Sequence, residues 1–353
     1  MQRDPIERES HDSRDLYDVS TWEQRSAVDT LSAWLYRLGI AGAKVFIILL
    51  ALLFLLAQLI LGGLGAVSDP VVGLLVILSV VPAFAIAAYV WYVDITTEEP
   101  LSLLVGTFLL AILFAMFAAV INSIGILPFG VIVIATQEIA PGATPVASFL
   151  AISLFFFIVV GPIEETVKLL AVRLYAYRDA RFDAVIDGAV YGAAAGLGFA
   201  TIENALYITQ GLEAGVAGTE VIGVAGDTAA VRALAGPGHV LYSAIAGFYL
   251  GLAKFNPENW GPIVIKGLLI AAVFHGLYNT LAGVVPGALV GAATWITPAV
   301  ALIGFIVIYD GVVAYFLYRK IAGYRRAYAD VGISTEGGEP TPELTEFDPD
   351  TER

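Results

Sequence analysis

The sequence contains no cysteine, and only 14% of its 353 residues are charged. The absence of cysteine excludes disulfide bonds, thiolate metal ligands and a cysteine nucleophile. About a quarter of the residues of a soluble globular protein are charged, so the scarcity of charge argues against an ordinary soluble enzyme. Basic residues are scarcer than acidic ones, and the net charge is −14. This argues against nucleic-acid binding, because a surface that neutralises phosphates needs clustered lysine and arginine.

Hydrophobic residues make up 58% of the chain and occur in long uninterrupted runs. A helix that crosses the hydrocarbon layer needs about 20 apolar residues, and eight runs are long enough. The sequence therefore predicts an all-α fold, a polytopic membrane helix bundle with about eight transmembrane helices. We expect a break at Gly161-Pro162 in the fourth run, and a loop or re-entrant segment at 128–145. The runs are 44–66, 71–93, 101–125, 146–175, 184–208, 233–255, 263–285 and 288–318.

Basic residues predict the orientation in the membrane. They lie in the leading segment, in the loops after the fourth and sixth spans, and at the start of the tail, whereas the alternate loops contain only Arg232. Loops rich in lysine and arginine stay in the cytoplasm, so we expect a multi-pass protein of the plasma membrane with both termini cytoplasmic.

Three regions follow from this reading. Residues 1–43 form an acidic cytoplasmic segment in which Thr21 and Gln24 have the spacing of a helix cap. The helix after them lies either on the membrane surface or against the cytoplasmic loops. Residues 44–320 form the membrane domain, with a catalytic core at about 146–285, and residues 321–353 form an acidic disordered tail. The acidity suits the salt-rich cytoplasm of a halophile, or it simply reflects two acidic ends.

The interiors of the first three predicted spans contain no ionisable residue, whereas the last five spans contain several. A charged side chain at the bilayer centre costs about 2.5–3.5 kcal/mol on insertion scales and is therefore a functional candidate. In the fifth predicted span, Gly188, Gly192 and Gly196 recur every four residues and predict a face for close helix packing. The chemistry is expected in the last five helices, which contain Glu164, Glu165, Lys168, Asp187, Glu203, His239, His275 and Asp310.

Two adjacent glutamates and a lysine follow Gly161-Pro162. Proline favours the first turn of a helix, so Glu164 and Glu165 are predicted near a helical N-terminus, where carboxylates are stabilised. Lys168 is within one turn of both. A structural Glu–Lys pair would use one carboxylate, and the second is surplus charge that needs a proton, a metal or water. We therefore favour a functional site here.

A zinc site is one interpretation of the remaining residues. A single membrane histidine is more often a packing residue, but two histidines with a carboxylate are the ligand set of many hydrolytic zinc sites. The sequence thus predicts Zn²⁺ held by Glu203, His239 and His275. A further glutamate, Glu164 or Glu165, would act as general base on the water.

Three other polar residues complete the predicted site. Asn279 lies one turn after His275 and could donate a hydrogen bond to the developing oxyanion. Asn204 follows Glu203 and could hold it by its amide, and Lys168 would neutralise whichever glutamate is not the base.

These motifs occur in a fixed order over about a third of the chain: Glu164-Glu165 with Lys168, the run from Asp187-Gly188 to Glu203-Asn204, then His239, then His275 with Asn279. The order closely resembles that of PrsW-type intramembrane proteases, which are similar to the CAAX prenyl endopeptidases. The resemblance implies cleavage of a membrane-associated protein, in some bacteria an anti-sigma factor. It implies active-site roles for Glu164, Glu165, Glu203, His239 and His275, and supporting roles for Lys168, Asn204 and Asn279.

The leading hypothesis is an intramembrane endopeptidase that hydrolyses a peptide bond with glutamate-activated, zinc-bound water. The expected partners are the lipid bilayer and a membrane-protein or lipidated-protein substrate. One alternative is a CAAX-type prenyl-protein endopeptidase, which would cleave a lipidated C-terminal tetrapeptide. The other is a proton- or ion-coupled transporter with Glu164, Lys168 and Glu203 as a relay, although the paired halves typical of transporters are not seen.

Overall fold

The structure is a computed structural model that describes residues 69–95, 99–210, 212, 219–293 and 295–330, with isolated positions between 25 and 45. The chain divides into two compact units, Met1–Phe54 and Leu55–Arg353, and the fold and site below belong to the second. Apart from those isolated positions, the acidic segment 1–43 with its expected helix and the first predicted span lie outside the described residues. The tail from 331 onward also lies outside them.

Ten α-helices account for most of the described chain, which contains no strand. Six helical stretches are long and apolar enough to cross a membrane, so the predicted all-α membrane bundle is confirmed. In chain order the helices are α1 Pro70–Tyr92, α2 Leu101–Gly125, α3 Leu127–Ile139, α4 Thr144–Phe155, α5 Gly161–Leu174, α6 Val185–Gln210, α7 Thr219–Lys254, α8 Trp260–Ala282, α9 Val285–Ala292 and α10 Pro298–Asp330.

Two stretches differ from the prediction. The stretch 128–145, expected as loop or re-entrant segment, is mostly helix α3 followed by a short 3₁₀ turn at Pro141–Ala143. Pro128 lies in the first turn of α3, where its missing N–H leaves no hydrogen bond unmade. The predicted last span is divided between α9 and α10. Helix α10 begins at Pro298, because proline is favoured in the first turn of a helix.

Helices α6 and α7 form the centre of the bundle, and the predicted glycine face joins them. A Cβ on Gly188 would lie 2.2 Å from the carbonyl oxygen of Gly247, and one on Gly196 would lie 2.4 Å from that of His239. Both separations are too short for any side chain. The glycines therefore allow the two backbones to touch, and they fix the height of His239 beside α6.

The fourth predicted span is irregular where the break was expected. Helix α4 passes through a π-helical turn, Phe156–Val160, into α5, which begins at Gly161. Such turns are frequent at functional sites. A Cβ on Gly161 would lie 2.7 Å from the carbonyl oxygen of Ala272 in α8. The first turn of α5, with its glutamates, is thereby held against α8, which contains His275.

Candidate functional site

Four helices bring the candidate residues to one buried place. Helix α5 contributes the two glutamates and the lysine, α6 contributes Glu203 and Asn204, α7 contributes His239, and α8 contributes His275 and Asn279. Beside them lies a cavity of about 290 Å³. Its wall includes Glu164, Glu203, His239, His275 and Asn279.

Glu165 is saturated with partners and fully buried. Its Oε1 accepts hydrogen bonds from Lys168 Nζ at 2.7 Å and from His275 Nδ1 at 2.9 Å. Its Oε2 accepts one from Ser243 Oγ at 3.3 Å. A lysine and a carboxylate that are both inaccessible to solvent need such mutual contacts, because neither charge is hydrated.

Glu164 is placed differently, with one oxygen left open. Its Oε1 accepts a hydrogen bond from Asn122 Nδ2 of α2 at 3.0 Å. Its Oε2 lies 3.6 Å from His275 Nε2 and 3.8 Å from Lys168 Nζ. Among the described residues this buried oxygen has no hydrogen-bond partner. It is therefore an acceptor that a proton, water or cation could use.

The protonation of His239 follows from its two neighbours. Lys168 Nζ lies 2.9 Å from Nδ1, and an ammonium group can only donate. Nδ1 must then be the acceptor, and Nε2 carries the hydrogen. Nε2 lies 2.8 Å from Glu203 Oε2 and donates to it.

Glu203 and Asn204 are joined to α7 by Arg232. The arginine Nη2 forms a partly buried ion pair with Glu203 Oε2, and its Nε donates to Asn204 Oδ1 at 2.9 Å. Asn204 in turn donates to Ser79 Oγ of α1 at 3.1 Å. The expected hold of Asn204 on Glu203 is thus indirect, through the arginine.

Aromatic rings shield the ionisable groups. The Phe199 ring lies 5.4 Å from that of His239 and 4.2 Å from Lys168 Nζ, and the Tyr242 ring lies 5.4 Å from that of His275. A ring face attracts a nearby ammonium, and the apolar wall keeps the local dielectric low. Electrostatic interactions inside the cavity are therefore stronger than in water.

One group of three residues in the cavity could hold a metal ion. A ligand atom from each of Glu164, His239 and His275 lies within 4.8 Å of the others. Sequence reasoning named Glu203 as the carboxylate ligand, but in the structure Glu203 contacts Arg232 and the second nitrogen of His239.

Sequence reasoning missed Asn122, Ser243 and Arg232. Asn122 is an amide in a span otherwise free of strongly polar side chains in its interior, which was a usable signal. Arg232 was counted only as the one basic residue of the outer loops. Ser243 had no signal, because serine is common in membrane helices.

A second acidic group lies outside the cavity. One carboxylate oxygen from each of Asp94, Glu99 and Asp187 lies within 4.8 Å of the others. Tyr191 donates a hydrogen bond to Glu99. Burial, together with these neighbouring carboxylates, raises the pKa of Glu99 to about 8 although the tyrosine bond lowers it. The side chain of Glu99 is thus largely protonated at neutral pH.

Comparison with known proteins identifies the family of the chain. Residues 99–312 match the family model described as PrsW family intramembrane metalloprotease. The chain is 33% identical to Protease PrsW of Geobacillus kaustophilus over 204 residues, which cover 57% of this chain and 76% of that protein. It is 29% identical to Protease PrsW of Bacillus subtilis over 205 residues, 57% of this chain and 78% of that protein. No solved structure matches the chain.

Proposed function

The chain belongs to the PrsW family of intramembrane proteases, and we propose that it hydrolyses peptide bonds in the cavity that contains Glu164, His239 and His275. The observation that carries this proposal is the open oxygen of Glu164. It is buried, lies 3.6 Å from His275 Nε2 and 3.8 Å from Lys168 Nζ, and has no hydrogen-bond partner among the described residues. A carboxylate in this state is suited to take a proton from water.

Zinc fits the same residues. Two imidazoles with a carboxylate beside them are typical of hydrolytic zinc sites. His275 through Nε2, and His239 through Nδ1 once Lys168 is displaced from it, would hold the ion, which leaves the open oxygen of Glu164 as the base. When bound, zinc would supply a Lewis acid that polarises the carbonyl and lowers the pKa of water to about 7.

Two further carboxylates orient the imidazoles. His275 donates Nδ1–H to Glu165, and His239 donates Nε2–H to Glu203. Metal-binding histidines usually donate their second N–H to a carboxylate or carbonyl in this way. This supports an orienting role for Glu203 in place of the ligand role expected from sequence.

The pairing of Lys168 supports Glu164 as the base. Lys168 Nζ is 2.7 Å from Glu165 and 3.8 Å from Glu164. Lys168 thus pairs mainly with Glu165, which is fully buried. Glu164, on the cavity wall, is left as the base. Asn122 fixes the other oxygen of Glu164 and so aims the open one. Asn279, also on the wall, would donate a hydrogen bond to the carbonyl oxygen as negative charge develops there.

A membrane protein is the general substrate of such an enzyme, and we propose a transmembrane or juxtamembrane segment as the part that is cut. The site lies in a helical bundle with apolar outer faces, so a membrane-bound chain can approach from the bilayer. A lipidated C-terminus is the alternative substrate. From the distribution of basic residues we further propose the plasma membrane as the location, with both termini in the cytoplasm.

The test combines metal content with cleavage. Purified protein is incubated with a membrane-protein preparation, and new peptide termini are quantified by mass spectrometry, so that no substrate need be known. We expect about one zinc per chain, and His275→Ala should lose both zinc and cleavage. His11→Ala, in the N-terminal segment, is the matched control and should keep both. Full cleavage by His275→Ala would refute the assigned site.

A further inference from the structure

Arg232 also lines the cavity, and nothing in the motifs gives it a role. It projects from α7 towards α6, and its side chain is only 14% exposed. A guanidinium is always charged. A buried cation that also borders a reaction cavity needs an explanation.

The contacts of Arg232 converge on one atom of Glu203. Its Nη2 and the Nε2 of His239 both bind Glu203 Oε2. The contact of Lys168 with Nδ1 places the hydrogen of His239 on Nε2. Glu203 therefore accepts a hydrogen bond from the ring, and any shift of its carboxylate would release the ring from one of its two polar contacts.

A chain of contacts holds the arginine itself in place. Its Nε donates to Asn204 Oδ1 at 2.9 Å, and the amide of Asn204 donates to Ser79 Oγ at 3.1 Å. The Tyr207 ring packs against the guanidinium at 4.5 Å. These contacts with α6, and through Asn204 with α1, keep the guanidinium beside Glu203.

We propose that Arg232 is a positioning residue for the proteolytic reaction: it holds the carboxylate of Glu203 in place, and that carboxylate orients the His239 ring by accepting its Nε2–H. This inference rests on the proposed function, because it gives His239 a place in the reaction. Arg232 itself touches no reacting atom. Removal of such an orienting partner typically costs about 10–100-fold in activity.

The first test observes His239 without any cleavage assay. The chain has three histidines, so ¹⁵N-histidine labelling of the chelator-treated full-length protein gives a simple spectrum, and His239→Gln identifies one signal set. In the unsubstituted protein we expect one sharp His239 signal set, with the hydrogen on Nε2. In Arg232→Ala the carboxylate of Glu203 is no longer held, and we expect broadened or split His239 signals from a ring that changes its orientation. Identical His239 signals in the two proteins would overturn the inference.

The second test is a double-mutant cycle on the rate at which new termini form. Arg232→Ala and Glu203→Gln should each slow cleavage by about 10–100-fold, and the double variant should be no slower than Glu203→Gln alone. A loss in the double variant equal to the product of the single losses would mean that the arginine acts on the substrate directly, and would overturn the inference.

Controls separate this role from folding and from the proposed function. Arg319→Ala removes an exposed arginine of α10 and should cleave normally. If Arg232→Ala does not fold, Arg232→Lys replaces it, because lysine can reach Glu203 but cannot bridge to Asn204 as a guanidinium does. Partial activity is then expected, and full activity would count against the inference. Absence of cleavage by the unsubstituted protein would refute the proposed function, whereas the test on the His239 signals would still stand.

Discussion

The contact between α6 and α7 gives the sharpest structural prediction, through Gly196→Ala. The added Cβ would lie 2.4 Å from the carbonyl oxygen of His239, whereas ordinary contacts begin at 3.4 Å. The backbone of α7 must therefore move by about 1 Å at the residue that contributes an imidazole to the cavity. Overpacking of this kind costs about 1–3 kcal/mol of folding stability, and a displacement of about 1 Å at a reaction centre can cost 10²-fold in rate.

Substitutions of two other glycines distinguish an effect on helix packing from an effect on the site. Gly188→Ala produces an equally severe contact, 2.2 Å from the carbonyl oxygen of Gly247, about two turns away on α6. Gly223→Ala in α7 has nothing within 4 Å. Thermal unfolding in detergent should show similar losses for Gly188→Ala and Gly196→Ala and none for Gly223→Ala. The rate at which new peptide termini form should fall most in Gly196→Ala. Equal rates in Gly188→Ala and Gly196→Ala would refute the reasoning.

Three other outcomes are expected. Asn122→Ala should slow cleavage by about tenfold, because Glu164 loses the donor that orients it; an unchanged rate would remove that role. Folding raises the pKa of Glu99 from 4.5 to about 8, so between these pH values the folded chain keeps a proton that the unfolded chain has lost. The stability of the fold should therefore fall as pH rises from about 4.5 to 8. Glu99→Gln should flatten this dependence in pH-resolved thermal unfolding, and an unaltered slope would contradict it. Because the chain lacks cysteine, Arg178→Cys and Gly283→Cys can be labelled singly in intact cells; we expect an impermeant maleimide to reach only Gly283→Cys, and the reverse would invert the proposed orientation.

Much of the fold was predictable because membrane helices are specified by length and apolarity. The run at 101–125 coincides with α2, and that at 71–93 with α1 to within one residue. The prediction of a loop or re-entrant segment after α2 was wrong because the prolines at 128 and 141 were interpreted as residues that end a helix. Proline in a first turn begins a helix as readily as it follows the end of one. Helix α7 begins well before the predicted span, since its polar early turns are not lipid-spanning sequence.

The candidate site was predictable as a set of residues but not as a set of contacts. Intramembrane charge costs enough to mark Glu164, Lys168 and His275 from sequence alone. Which glutamate pairs with the lysine depends on rotations of α5 of a few tens of degrees, which spacing does not determine. The partners Asn122 and Arg232 come from helices α2 and α7, and only the packed structure relates them to the glutamates.

The most direct measurement of the central claim is the rate of new-termini formation by Glu164→Gln, compared with Glu138→Gln, which alters an exposed glutamate of α3. The amide keeps the size of the side chain but cannot take a proton, and loss of a general base costs about 10²–10⁴-fold. We predict a loss of that order for Glu164→Gln, with unchanged thermal unfolding, and no loss for Glu138→Gln. Cleavage by Glu164→Gln at the rate of the unsubstituted protein would contradict the assignment of this cavity as the proteolytic site.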